Sequence, residues 1–283
     1  MNDRIPLQHA RVIVERLAGM IADTCERLEI AGSIRRGRAD VKDAEIVAIS
    51  RGSDLLARLD QMVQDGTIRK ALYGEKEQTR WGSSYRGLVF DGLRVEIFTA
   101  DEHSWGNQFW LRTGPGDANQ FVMKWLIWKR APLRFQGGSV WWSANWMQVP
   151  GGWDAADKRR LSLREESDLF AVLGLPEIEP AMRSDVMYEG LLDVQKLPVD
   201  FSKWYVPELQ QAALTLDAEW QPRAVDPDVK AADRAYNEQL LAKHRQIFER
   251  AATGQPLADW ERRIVENRRA IERAKALMER GQQ

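Results

Sequence analysis

Apolar residues recur at helical spacing between residues 5 and 23, where Ile5, Ala10, Val12, Leu17 and Ile21 fall on one side with charges between them. The spacing predicts an amphipathic helix. The next run, RLEIAGSI, is rich in strand formers and ends in Gly32-Ser33. VKDAEIVAIS then alternates with period two, setting Ala44, Ile46 and Ala48 against Glu45, Val47 and Ile49, which predicts a strand buried on at least one face. Residues 53–66 open with Ser53 and close with Gly66, the start and stop signals of a helix. Two apolar runs, GLVF and LRVEIFTA, flank Asp91-Gly92, a dipeptide suited to the positive φ of a tight type I′ turn, so a hairpin is predicted there. Residues 104–131 read as helical around a break at Thr113-Gly114-Pro115-Gly116. Residues 134–153 hold two Gly pairs and a predicted strand, SVWWSANWMQV, and ESDLFAVLGL predicts a short helix before Pro176. From 227 to 281 the chain is charged with helical spacing, split at Thr253-Gly254-Gln255-Pro256, and reads as a helical hairpin.

This order of elements predicts an α+β fold, a mixed sheet with helices packed on one face. We expect a first domain over residues 1–131, a smaller α/β part over 132–200 and a helical C-terminal region over 201–283. With 44% apolar residues, the 283-residue chain can bury a sizeable core, which excludes a wholly disordered protein. A net charge of −1 supplies no bulk attraction to nucleic acid, so such a partner would need a local basic surface. The lone Cys25 excludes a disulfide within the chain and reads as a small core residue. Eight of the twelve tryptophans lie between Trp105 and Trp153; a tryptophan-rich core explains most of them, a base-stacking platform being the alternative. Charges interrupt every apolar run of the N-terminus, and no stretch approaches the ~20 residues of a spanning helix. We therefore expect a soluble, cytoplasmic protein without membrane partners. In the C-terminal segment Arg262, Arg263, Arg268, Arg269 and Arg273 are interspersed with acids, which reads as a solvated face, with nucleic-acid contact as the sharper alternative. His9, His103 and His244 lack the spacing of metal ligands.

The candidate chemistry lies in three carboxylates. Asp43 and Glu45 are two apart on a strand and so share a face, and Glu96 lies in the second strand of the hairpin. If that strand pairs beside DAEIV, all three can converge. Mg²⁺ prefers oxygen ligands, and two such ions can clamp both ends of an in-line phosphoryl displacement. An acidic i, i+2 pair is by itself most often the wet face of a sheet. Here it follows Gly32-Ser33 and Arg36: a Gly-Ser turn can cradle phosphate oxygens and Arg can grip them.

GSIRRGRADVKDAEIVAI resembles the signature of the polymerase beta nucleotidyltransferase superfamily: Gly-Ser, about ten residues, then an acidic pair on a strand. GSIRRG is similar to the corresponding run of the X-family DNA polymerases, RVEIF to the strand bearing the third carboxylate, and LRTGPGDAN to the Thr-Gly segment with its downstream Asn. ESDLFAVLGLPEIEPAMR resembles the short helix and Glu-Pro-x-x-Arg ending of the last subdomain. The resemblance spans roughly residues 8–185. It implies a palm-type sheet with a thumb-like subdomain over 132–200. It also implies a two-metal transfer of nucleotides from NTP or dNTP to a 3′-hydroxyl, as in a DNA polymerase of repair or replication using Mg²⁺ or Mn²⁺. Asp43 and Glu45 would bind both metals, and Glu96 would bind one and help accept the proton of the attacking hydroxyl. Gly32, Ser33 and Arg36 would hold phosphates, and Arg94 would position Glu96. Thr113 and Gly114 would lie along the sugar, and Asn119 would reach the base edge. The partners implied are a nucleoside triphosphate and a DNA primer and template. The chain departs from the pattern in Glu45 and Glu96, where the polymerases prefer Asp, in Leu111-Arg112, where they carry an aromatic pair, and in Pro115, where they carry Ser. About 30 residues precede Gly32, too few for the lyase and fingers domains of the family. Transfer of a nucleotide to a small molecule, a tRNA end or a protein is the alternative activity, and a non-catalytic module of the same fold is a third reading.

Overall fold

The computed structural model describes residues 4–129, 131–143, 158–192, 202–205, 245–257, 262 and 265. The first elements are β1 (Ile5–Pro6), α1 (Leu7–Ile21), β2 (Cys25–Ile30), α2 (Gly32–Arg35), β3 (Asp40–Val41), β4 (Asp43–Ser50) and α3 (Asp54–Gln64). Short strands β5 (Arg69–Lys70), β6 (Leu72–Tyr73) and β7 (Gln78–Thr79) precede the hairpin β8 (Tyr85–Phe90) and β9 (Leu93–Thr99). Then come α4 (Trp105–Thr113), α5 (Gly116–Trp128), β10 (Leu133–Gln136), β11 (Ser139–Trp142), β12 (Arg159–Arg160), α6 (Glu166–Val172) and α7 (Asp185–Leu192). Residues 245–252 are helical and end at Gly254, where the break was expected. Most of the expected C-terminal hairpin, with Arg263, Arg268, Arg269 and Arg273, lies outside the described residues, as does the predicted strand beyond Ser143.

The fold is α+β, built on a mixed five-stranded sheet of order β2-β4-β9-β8-β5. The pair β4–β9 is parallel and the others are antiparallel. Asp91 and Gly92 both take positive φ, 47° and 80°, so the hairpin closes through the turn its sequence predicts. On one face of the sheet Ala44, Ile46, Ala48, Leu88, Val95 and Ile97 meet Ala10, Ile13, Val14, Leu17 and Ile21 of α1 and Leu55, Leu59 and Met62 of α3. Val12, expected on the buried side of α1, is 64% exposed: the apolar stripe runs through Ile13 and Val14 instead.

The expectation of helices on one face alone needs correcting. The opposite face carries the acidic residues at one end but also Val47, which packs with Ala31 and the fully buried Trp105 of α4. An apolar residue among the polar positions of a strand calls for its own cover, and α4 supplies it. Trp110, one face further along α4, belongs to a second cluster that runs through α5, α6, α7 and the antiparallel sheet β10-β11-β12 to Trp204. Trp105, Trp110 and Trp125 are core residues, as expected of most tryptophans in this segment, and Cys25 is buried, its thiol pushed up by burial.

An ionic group ties the second cluster to α2. Arg35 makes two bonds to Glu166, at 2.9 and 2.7 Å, and Arg183 a third at 2.7 Å. Burial would lift the Glu166 carboxyl, but the bonds from Arg35 and Arg183 outweigh it and hold it below the ordinary value. The Arg183 side chain is 1% exposed, so removal of its partner strands a buried charge. Glu166→Ala should therefore lower the unfolding free energy in urea by roughly 3 kcal/mol. A loss below about 0.5 kcal/mol, the range of ordinary surface substitutions, would show that the group does not hold the two parts together.

Candidate active site

The site begins where β2 ends. The Ala31 amide donates to the Glu45 carbonyl at 2.8 Å, which places Gly32 directly against the Glu45 side chain. Gly32 has φ +65°, and a Cβ there would collide with Glu45 Oε2, so both backbone and space demand glycine. Gly32-Ser33, expected as a turn closing a strand, instead opens the single helical turn α2. Among the described residues, Ser33 Oγ is buried with no hydrogen-bond partner. Arg36 donates to the Thr113 carbonyl, and its Nε is buried without a partner. Burial pulls the Arg36 guanidinium below its ordinary pKa, against the opposing charge of Glu45.

The parallel register pairs Asp43 with Arg94 and Glu45 with Glu96. Asp43, Glu45, Arg94 and Glu96 thus share the sheet face opposite α1, all half-buried. Burial, reinforced by Asp43 and Glu96, raises the Glu45 carboxyl to about 7. Three like charges on one face repel, and each glutamate is turned to a neighbour of its own. Glu45 lies against Gly32, and Glu96 Oε1 accepts from the Tyr73 hydroxyl at 3.2 Å. Among the described residues, no three His, Cys, Asp or Glu side chains are grouped so as to hold a metal ion as they stand. The register therefore sets the three acids on one face as expected, while their carboxyl groups do not converge into one cluster.

Three further groups meet this face. Arg112 of α4 stacks over Phe98 at 3.8 Å and carries an Nε buried without a partner. Burial lowers its pKa, countered by the charges of Glu45 and Glu96, so Arg112 is the cation these two glutamates feel from α4. Tyr85, two residues from Gly87 on β8, packs on Phe98 and bonds the Tyr73 hydroxyl at 2.7 Å. Sequence reasoning missed all three. Arg112 stood out only as a departure from an aromatic pair, while Tyr73 and Tyr85 gave no local signal, since only strand pairing brings them to Glu96.

The other expected residues fall around this group. Arg94 lies beside Asp43 in register, with its guanidinium over the Tyr73 ring at 4.9 Å and bonded to the Leu72 carbonyl at 3.4 Å. Thr113 is fully buried, its hydroxyl taken by Arg35 at 2.7 Å and its carbonyl by Arg36. Gly114, at φ +67°, leaves 2.9 Å between the Arg36 guanidinium and the place of a Cβ. Asn119 is 4% exposed, and its amide donates to the Leu111 carbonyl at 2.7 Å. It ties α5 to α4, and its Oδ1 is buried without a partner. The Thr-Gly segment is thus joined to α2 through Arg35 and Arg36.

No family model matches the chain, and no curated protein matches it.

A carboxyl raised in the folded state binds more protons there than in the unfolded chain. The stability it allows is present below its unfolded value near 4.5 and is lost as the pH rises to about 7. Without divalent ions, Glu45→Gln should therefore be more stable than the native chain at about pH 8 and lose that advantage at about pH 4.5. Urea unfolding of both proteins at the two pH values measures this; an unchanged difference between them would contradict the raised carboxyl.

Proposed function

We propose that the chain is a nucleotidyltransferase of the polymerase beta type, adding nucleotides from a nucleoside triphosphate to a 3′-hydroxyl of DNA. The observation that carries the reading is the register of β4 and β9, which sets Glu45 opposite Glu96 with Asp43 on the same face, beside Gly32-Ser33. Four segments in the family's order support it, and the ionic tie from Arg35 to Glu166 and Arg183 joins two of them.

The residues fit divalent cations in two respects. The donors are carboxylate oxygens, the ligands that Mg²⁺ and Mn²⁺ take. Burial raises the Glu45 carboxyl most, and Asp43 and Glu96 add negative charge to it that a cation would relieve. Asp43, Glu45 and Glu96 would hold the two ions, which neutralise charge on the triphosphate and lower the pKa of the attacking hydroxyl when bound. The 3′-oxygen attacks the α-phosphorus, pyrophosphate leaves, and Glu96 helps take the hydroxyl proton. Ser33 Oγ, buried and without a partner, is the donor for a phosphate oxygen. Arg36 joins it on exchanging the Thr113 carbonyl for phosphate. Thr113 and Gly114 line the sugar. Positioning and charge neutralisation account for most of such a catalyst's effect. Gripping of DNA through phosphates makes the affinity steeply salt-dependent.

Primer extension tests the reading, with Mg²⁺ or Mn²⁺ and each dNTP or rNTP singly, on single-stranded, gapped and recessed DNA. We expect extension, reduced by more than about 100-fold in Glu45→Gln, as when a group serving transition-state charge is lost. Nucleotide transfer confined to RNA, protein or a small acceptor, and lost in the same variant, would replace DNA by that acceptor. No transfer to any acceptor would overturn the proposal.

A further inference from the structure

Glu96 has unequal neighbours across the sheet. In the parallel register it faces Glu45, and in the antiparallel register it faces Gly87. Gly87 brings no side chain to this face, and a Cβ there would collide with the Tyr73 hydroxyl. The room beside Glu96 is thus filled from a separate element, the short strand β6. The Tyr73 hydroxyl donates to Glu96 Oε1 at 3.2 Å and lies 2.7 Å from the Tyr85 hydroxyl. Either hydroxyl can donate in the bond between them, and Tyr85 interacts with Glu96 as well. Both rings are themselves fixed. Tyr85 lies 4.8 Å from Phe98, and Tyr73 has the guanidinium groups of Arg80 and Arg94 at 4.6 and 4.9 Å from its ring centre.

We infer that Tyr73, backed by Tyr85, is a positioning residue that fixes one oxygen of the Glu96 carboxylate and leaves the other for the reacting hydroxyl and its cation. The inference rests on the nucleotidyl-transfer reading of this face. Its physical reason is the length of the side chain. Glutamate carries one more rotatable bond than aspartate, and the freedom lost on holding it in place must be offset. A hydroxyl donating to the carboxylate, here at 3.2 Å, offsets part of that loss. An aspartate on the same backbone is shorter by about 1.5 Å, one C–C bond, which takes its carboxylate out of hydrogen-bond reach of Tyr73. Tyr73 and Gly87 are then a matched pair that serves the longer acid: one supplies the donor and the other the space for it.

The test is a cycle of four full-length proteins: native, Tyr73→Phe, Glu96→Asp and the double variant. Each is titrated with Mn²⁺ alone by electron paramagnetic resonance and assayed for single-nucleotide incorporation, and thermal melting confirms folding. Loss of one hydrogen bond to the carboxylate predicts that Tyr73→Phe weakens Mn²⁺ binding and kcat by up to roughly tenfold when Glu96 is present. The nucleotide KM should be unchanged. In the Glu96→Asp background, where the bond cannot form, the same substitution should change both by less than about twofold. Equal losses in the two backgrounds, or none in either, would overturn the inference while leaving a metal-binding, active native protein and the transferase reading intact. A native protein that neither binds Mn²⁺ nor incorporates nucleotide would remove the transferase reading and the inference with it.

Discussion

Like charges gathered on one partly buried sheet face are the constraint around which the site is arranged. Pairing β4 with β9 in parallel obliges Glu45 to stand opposite Glu96, two residues along from Asp43. Burial penalises charge and the neighbours reinforce the penalty, which is why the Glu45 carboxyl is raised to about 7. The surroundings answer this charge with short-range devices. Arg112 reaches in from α4, Tyr73 donates to Glu96, and Gly32 opens space for the Glu45 carboxylate. Each partly offsets the cost of keeping carboxylates together, and none supplies the full countercharge that three of them call for.

The rest of the fold holds this face in register. One side of the sheet is closed by α1 and α3, so a one-residue slip of β4 would turn Ala44 and Ile46 out of the core and carry Asp43 and Glu45 into it. The other side is pinned by Trp105 on Val47. From there α4 continues into the second cluster, and the Arg35–Glu166–Arg183 group ties that cluster back to α2, which bears Ser33 and ends at Arg36. The acids and α2 thus share the packing of the first sheet, through Gly32 against Glu45 and Ile34 in the core, and the ionic group joins both to the second cluster.

Local signals in the sequence were enough for much of this. Period-two alternation in DAEIVAIS separated acidic from apolar positions, Asp91-Gly92 defined the hairpin, and Thr113 to Gly116 marked the break between α4 and α5. What could not be read locally depends on contacts distant in the chain. Val12 and Val14 are equally apolar, and only the packing of α1 exposes the first and buries the second. Val47 on the acidic face gave no indication that α4 would cover it. Asn119, placed at a base edge by resemblance, donates from its amide to the Leu111 carbonyl eight residues back, a bond that no local pattern announces. Tyr73 lies 23 positions before Glu96, and its role exists only once β6, β8 and β9 are assembled.

We propose that this face binds two divalent cations and a triphosphate. Anomalous diffraction from crystals grown with Mn²⁺ and a non-hydrolysable nucleoside triphosphate addresses it directly. The account predicts two manganese peaks against Asp43, Glu45 and Glu96, with the phosphates against Ser33 and Arg36. Manganese elsewhere, or a triphosphate bound away from Gly32-Ser33, would contradict it.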